Sequence, residues 1–209
     1  FDIKDVLDFI ALLKRRNVVV DPTLAVFAII KQRDGEKSAP MMAVYDHLPP
    51  SVQRWLVSGG MKIPDAAAAA RYAASYAKAV EFVGRLHRAG VPIVAGTDWF
   101  AGFALHSELE LYVQAGMTPA QALQVATLNA AKVAGVWDTR GSVAPGKLAD
   151  LVLVEGDPTR NIGDLRQVAL VITQGKLISP SAVHRAFGVK PFVQEMPELR
   201  KAAAAESPR

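Results

Sequence analysis

Residues 91–95, Val-Pro-Ile-Val-Ala, are a short, largely β-branched apolar run between a helix stop at Gly90 and the sequence Gly96-Thr97-Asp98. A run of this length bounded by turn residues reads as a buried strand. Gly96 is expected to let the backbone turn, so that Asp98 arrives at the strand's C-terminal end. Where strands alternate with helices around a barrel, that end is where chemistry is done. A carboxylate there can ligate a metal or move a proton, and it can equally cap a helix or form a turn; position alone leaves these readings open.

The preceding residues repeat the same alternation. Ile3, Val6, Leu7, Ile10 and Leu13 recur at helical spacing and predict an amphipathic helix over 5–16. Val18-Val19-Val20 then starts a buried strand that runs into Asp21-Pro22; Asp21 at its end is a further polar candidate at the mouth, though proline forces extended geometry on it and favours a turn role. Residues 31–64, with four prolines and Gly59-Gly60, read as a long irregular insert, the kind of loop that serves as a lid or mobile element. A short helix is expected inside it at 51–58. Asp65 N-caps a strong helix that Gly90 closes, with Tyr72, Tyr76, Ala79, Val83 and Leu86 on one face.

Beyond Asp98 the helix signals continue and then stop. Ser107 and Glu110 have capping-box spacing and predict a helix start there, and Thr118, Pro119 and Gln121 open another that ends near Gly135. After Val136 the pattern changes to strands at 143–154 and 168–178, the second containing a tight turn at Gln174-Gly175. Residues 191–209 read as a loosely packed or frayed extension.

Composition narrows the classes. The 51% hydrophobic content suffices for a packed core, but 209 residues fall short of the about 250 that a complete eight-unit barrel needs. Net charge is +4, yet Lys14-Arg15-Arg16 is the only tight basic cluster and lies at a helix end, so no nucleic-acid partner is expected. The longest apolar run, 24–30, is too short to span a bilayer, and no membrane partner is expected. Absence of cysteine excludes disulfides, thiolate metal sites and a cysteine nucleophile, and leaves the compartment open. A chain that opens on Phe1 is expected not to display its natural N-terminus, so the lack of a signal peptide carries no weight.

Five segments in order carry a resemblance: Gly96-Thr97-Asp98; His106-Ser107-Glu108-Leu109-Glu110-Leu111; Ala115-Gly116-Met117-Thr118-Pro119; Ala126-Thr127-Leu128-Asn129-Ala130-Ala131; and Gly141-Ser142-Val143-Ala144-Pro145-Gly146-Lys147-Leu148-Ala149-Asp150-Leu151-Val152-Leu153-Val154. From about Phe1 to about Ile178 the chain resembles the C-terminal portion of the metal-dependent amidohydrolase superfamily, nearest to its imidazolonepropionase-like and prolidase-like members. The resemblance implies an α/β fold: the last two strand–helix units of a TIM-like (β/α)8 barrel over 1–136, with the insert at about 31–64. Strands of a small accessory β-sandwich would follow over 137–180, and a C-terminal extension over 181–209.

The resemblance also implies hydrolysis of amide or peptide-like C–N bonds, cyclic or linear, with one or two divalent metals, zinc above all. Asp98 matches the aspartate of the eighth strand; it would ligate the metal and shuttle the proton of the attacking water. The family's remaining ligands, a His-x-His pair among them, have no match here. The chain is therefore expected to be the second half of such an enzyme, to need a missing N-terminal segment or companion chain, and to form a homo-oligomer. The contrasting expectation is a non-catalytic fragment or interaction module, since exposed strand edges invite association.

Among His47, His87, His106 and His184 no metal-binding spacing exists. His87 suits a helix end, His184 a surface, and His47 reaches a pocket only if its loop folds over one. His106 and Trp99 are candidate substrate contacts at the mouth, with capping or packing as the alternative; Phe100 shares Trp99's reading. Asn129 and Asp150 are expected to be structural.

Overall fold

The computed structural model describes residues 4–196, so Ile3 of the first helix and the extension beyond residue 196 lie outside the described residues. Helix α1, Lys4–Arg15, carries Lys14 and Arg15 in its last turn, where cations complement the dipole. The segment that follows touches residues 91–95 through a single parallel bridge, Val20 to Ile93. The Val20 N–H donates to the Pro92 carbonyl at 2.9 Å, and the Val94 N–H to the Val20 carbonyl at 3.0 Å. Both runs are thus extended and side by side, but only this one bridge joins them rather than a full ladder.

The insert is built, not loose. After α2, Leu24–Phe27, come 3-10 turns at Ala28–Lys31, Ala39–Met41 and Tyr45–His47, then helix α3, Pro50–Leu56. Met41, Val44, Leu48 and Leu56 are buried with Ala25, Ala104 and Val189 in a core of their own. Side-chain amides hold the irregular backbone: Gln32 Nε2 donates to the Glu36 and Leu56 carbonyls at 2.9 and 2.8 Å, and Gln53 Nε2 to those of Tyr45 and Leu48 at 2.9 and 3.0 Å. Satisfying these buried carbonyls lets an apolar-lined loop pack. The insert that reads as irregular in sequence is thus held by a core and hydrogen bonds of its own.

Helix α4, Ala66–Ala89, begins at Asp65, whose carboxylate accepts the Ala68 N–H at 2.7 Å, and ends on Gly90 at φ 73°. Its inner face, Tyr76, Val80, Val83 and Leu86, meets Ile10, Val91, Ile93, Leu109 and Tyr112 in the main core. Gly84 permits the closest approach there: a Cβ would lie 2.1 Å from the Ala115 carbonyl oxygen.

Helix α5, Ala104–Gln114, starts three residues before the expected capping box, without a side-chain cap. Ser107 and Glu110 are interior, and both face Arg166: its Nε and Nη2 donate to the Glu110 carboxylate at 2.8 Å each, and Nη2 also to Ser107 Oγ at 3.1 Å. The Ser-x-x-Glu spelling suggests a cap, whereas Arg166, 59 and 56 residues away, engages both side chains and Ser107 Oγ also donates to the Pro40 carbonyl. Helix α6, Pro119–Gln124, does carry the expected capping box of Thr118 and Gln121. It continues through a π-helical stretch, Val125–Asn129, into α7, Ala130–Val133.

The expected strand at 143–154 shrinks to β1, Leu151–Val154. Before it the chain turns about Lys147, whose ammonium donates to the Trp137 and Arg140 carbonyls and to Ser142 Oγ. Gly141 and Gly146 at φ 82° and 86° supply left-handed corners that a strand would not contain. Asp150 closes the turn by accepting from Thr173 Oγ1 at 2.8 Å and pairing with Arg140 at 3.2 Å, a structural role as expected. Strands β2, Val168–Thr173, and β3, Lys176–Ile178, join through Gln174 and Gly175, both left-handed, in a tight hairpin; the antiparallel order is β1-β2-β3.

Helix α8, Pro180–Ala186, then returns the chain to the insert, where Val189 and Val193 are buried and the Lys190 N–H donates to the His47 carbonyl. As far as residue 196, the tail is therefore packed rather than frayed. His184, expected at the surface, is partly buried between the Phe103 and Phe192 rings, 6.1 and 5.5 Å away. His47 stacks on Phe192 at 4.0 Å and its Nδ1 lies 2.8 Å from the Lys190 carbonyl, so it anchors the returning segment.

Candidate active site

The carboxyl ends of the two parallel segments define the site. Asp21 ends one, and residues 95–98 end the other. Asp21 Oδ1 accepts the Gly96 N–H at 2.8 Å, clamping the two ends together. This explains Gly96 differently from a turn. Gly96 is absent from the glycines at positive φ, and a Cβ there would lie 2.1 Å from Asp21 Oδ2. Glycine is needed for the carboxylate's approach, and the turn itself falls on Asp98, at φ 44°. Aspartate is among the few side chains that adopt that conformation.

Asp98 is exposed and makes no hydrogen bond or ion pair with any described residue. Trp99 and Phe100 turn inward from it and pack against the insert's core with Phe103 and Val52. The mouth is thus an exposed carboxylate on a loop pinned by aromatic packing.

Behind the mouth lies a buried polar anchor that the sequence reading did not single out. Glu108 is fully buried, and its two oxygens accept the Leu24 and Ala25 N–H groups at 2.8 and 2.6 Å. Burial pushes its pKa up, and the two backbone donors oppose that shift. Tyr76 donates to the Leu24 carbonyl at 3.1 Å and Tyr112 to the Val94 carbonyl at 2.9 Å. Burial raises both phenols, and the Glu108 carboxylate adds to the shift. Together these groups fix the chain after Asp21 and the segment before Asp98 onto α4 and α5. A signal was present: Ala104, Glu108 and Tyr112 are four residues apart, which puts an acid on the buried stripe of its helix.

His106 stands in the first turn of α5. Its electrostatic neighbours are Arg166, Glu110 and His184, and burial, then the Arg166 cation, pulls its pKa down to about 4. It is neutral at pH 7. Burial, followed by His47, also lowers His184. A cleft of about 570 Å³ opens between α4, α5 and residues 28–40; Lys31, Glu81, Arg88 and Glu110 line it, and Asp98 does not.

No three His, Asp or Glu side chains among the described residues converge closely enough to hold a metal ion. Among the described residues the mouth holds two carboxylates, Asp98 and the Asp21 side chain engaged by Gly96, and by itself that donor set does not fit a divalent ion.

These features place an exposed carboxylate beyond the ends of two parallel extended segments braced by helices. A model of the amidohydrolase family matches residues 3–178, and the chain belongs to that family. It is 38% identical over 84 residues to an adenine deaminase of Geobacillus kaustophilus (strain HTA426), covering 40% of this chain and 14% of that protein. It is 43% identical over 74 residues to an imidazolonepropionase of the same strain, covering 33% of this chain and 18% of that one. The crystal structure of a Xaa-Pro dipeptidase with bound methionine aligns at TM-score 0.57 and 24% identity over 83% of this chain and 37% of its own. A putative prolidase from Bifidobacterium longum aligns at TM-score 0.54 and 24% identity over 90% and 39%. At such identity the structural likeness is one of fold, and it implies a TIM-barrel-related architecture. The chain spans less than a fifth of the curated relatives and less than two fifths of the solved ones.

Proposed function

We propose that this chain is the C-terminal portion of an amidohydrolase that hydrolyses C–N bonds of amide or peptide-like substrates, with Asp98 at the reacting centre. In this reading the segments 18–20 and 91–95 are the last two barrel strands, and β1–β3 belong to an accessory β-sandwich. The observation that carries the proposal is Asp98 itself: exposed, at φ 44°, beyond the carboxyl ends of the parallel pair, with both oxygens unengaged by described residues. Backbone held in a sparsely populated region at a mouth is the kind of outlier that points to function.

The family generally works with a divalent metal, and zinc is our expectation. The described residues offer one free carboxylate at the mouth, Asp98, so the proposal assigns the other ligands to a segment or chain beyond this one. Exposed Phe9, Leu12, Val18 and Val19 support such a companion, or a second copy, along the open side of the parallel pair. Within this chain Asp98 accepts and returns a proton, Trp99 packs the mouth loop against the insert's core, and neutral His106 offers a hydrogen bond to substrate. The fold supports the reaction class alone; an amide or dipeptide-like substrate follows from the kinship with an imidazolonepropionase and the likeness to prolidase-type folds.

Replacing Asp98 by Asn keeps size and left-handed tolerance while removing the proton acceptor. Turnover of a panel of N-acyl amides and dipeptides by the active protein should fall by about 10²-fold or more, with an unchanged unfolding midpoint. Near-normal turnover in Asp98→Asn would refute the assignment.

A further inference from the structure

Trp55 is 54% exposed, although it is one of the largest apolar side chains and sits on a helix whose neighbour Leu56 is buried. It is the outermost ring of a continuous aromatic series. Its ring lies 6.1 Å from that of Phe100; Phe100 stacks on Phe103 at 5.4 Å; and Phe103 meets Phe192 at 6.3 Å. The inner rings have partners on both sides, whereas Trp55 has a ring on one side and open space on the other. That space is a shallow, open depression of about 370 Å³ lined by Ser51, Val52, Trp55 and Phe100, almost wholly apolar except at the Ser51 rim. Its size is at the small end of ligand pockets, roughly 300–1,000 Å³.

One of the depression's lining residues, Phe100, belongs to the loop that carries Asp98. Phe100 is two residues from Asp98, so their Cα atoms are no more than roughly 7 Å apart. Trp99, the aromatic residue next to Asp98 in sequence, is drawn into the core against the insert. The surface beside the carboxylate that offers an open π-face therefore comes from α3 of the insert, not from the Asp98 loop alone.

We propose that Trp55 and Phe100 form a side-chain subsite, seating an apolar or aromatic group next to the scissile bond and selecting amides that carry one. This rests on the reading of Asp98 as the reacting carboxylate and adds the substrate class to it. An aromatic side chain would complete the series as its next offset ring, with Val52 beneath it, and no charged side chain lines the depression. Glycyl or small polar amides would leave the Trp55 face in water. The insert's folding is thereby part of specificity: Gln32 and Gln53 hold α3 so that Trp55 stands over Phe100.

The test is calorimetric binding of N-acetyl-L-phenylalanine amide and N-acetylglycine amide to the full chain, repeated with Trp55→Ala, Trp55→Phe and Ser51→Phe. The phenylalanine amide should bind about tenfold or more tightly than the glycine amide, within the range that a hydrophobic pocket discriminates. Trp55→Ala should erase the preference, Trp55→Phe should retain most of it, and Ser51→Phe, which fills the depression from its exposed rim, should erase it with Trp55 intact. Equal binding of the two amides, or an undiminished preference in both Trp55→Ala and Ser51→Phe, overturns the subsite. Asp98→Asn separates the two claims, because it should leave the binding preference in place. A preference that persists while Asp98→Asn keeps full turnover supports the subsite and removes the catalytic reading. Turnover lost in Asp98→Asn with no side-chain preference removes the subsite alone.

Discussion

The contact between Gly96 and Asp21 makes a sign-changing prediction. In the native chain, Gly96→Ala would put a Cβ 2.1 Å from Asp21 Oδ2 and 2.7 Å from its Cγ, so the carboxylate must swing away and release the Gly96 N–H. That hydrogen bond is solvent-exposed, so its loss together with residual crowding costs about 1–2 kcal/mol. Against this, alanine restricts the unfolded chain and returns about 0.4–1 kcal/mol at a position whose φ it can adopt. The net effect is destabilisation by about 1 kcal/mol. With Asp21→Ala already present, the three nearest obstacles lose their oxygens and Cγ, and only the unfolded-chain gain remains. There Gly96→Ala should stabilise by about 0.5 kcal/mol. Urea unfolding of the four proteins, with midpoints compared at constant m, measures a coupling of about 1–2 kcal/mol. Equal effects of Gly96→Ala in both backgrounds would refute the argument and return Gly96 to a backbone role.

Three further outcomes are expected. Asp98→Gly should abolish turnover yet raise stability by up to about 1 kcal/mol, because glycine takes φ 44° without steric cost; a lower unfolding midpoint would contradict the left-handed assignment. His106, held near pKa 4 by burial and Arg166, is neutral when folded but protonates below about pH 6.5 when unfolded. Its contribution is therefore complete above pH 6.5 and is lost as pH falls toward 4, by about 3 kcal/mol, so His106→Gln should flatten the stability profile in that window and leave it unaltered above. Glu110→Ala strands Arg166, which is 6% exposed and whose Nη1 is already without a partner among the described residues; it should cost about 2–4 kcal/mol. Arg166→Met, which removes the buried charge, should cost less, and the reverse order in denaturant midpoints would count against a buried-cation account.

What could be read from the chain is what acts over a few residues. Asp65, Gly90, the Thr118–Gln121 box and the Gln174-Gly175 turn were legible because each is a hydrogen bond or a φ requirement settled within one turn of backbone. The family resemblance was legible for a similar reason: its motifs are contiguous. Local spelling misled where a distant group had a stronger claim. Ser107 and Glu110 spell a cap but belong to Arg166, and Gly96 spells a turn but belongs to Asp21, 75 residues away. The insert reads as irregular because its prolines and charges are visible in sequence. The amide hydrogen bonds of Gln32 and Gln53 and the arrival of Val189 beneath it are not.

Sequence by itself determined the family, the order of helices and extended runs, and the delivery of Asp98 at the end of one of them, since periodicity, capping chemistry and contiguous motifs are properties of neighbouring residues. Tertiary structure decided that Asp98 rather than Gly96 makes the turn, that Glu108 is buried beneath Leu24 and Ala25, and that Trp55 stands over Phe100. Each of those depends on two segments far apart in the chain meeting at hydrogen-bonding or van der Waals distance. Chain neighbours carry no information about such meetings until the core that Tyr76, Leu86, Leu109 and Tyr112 share has closed.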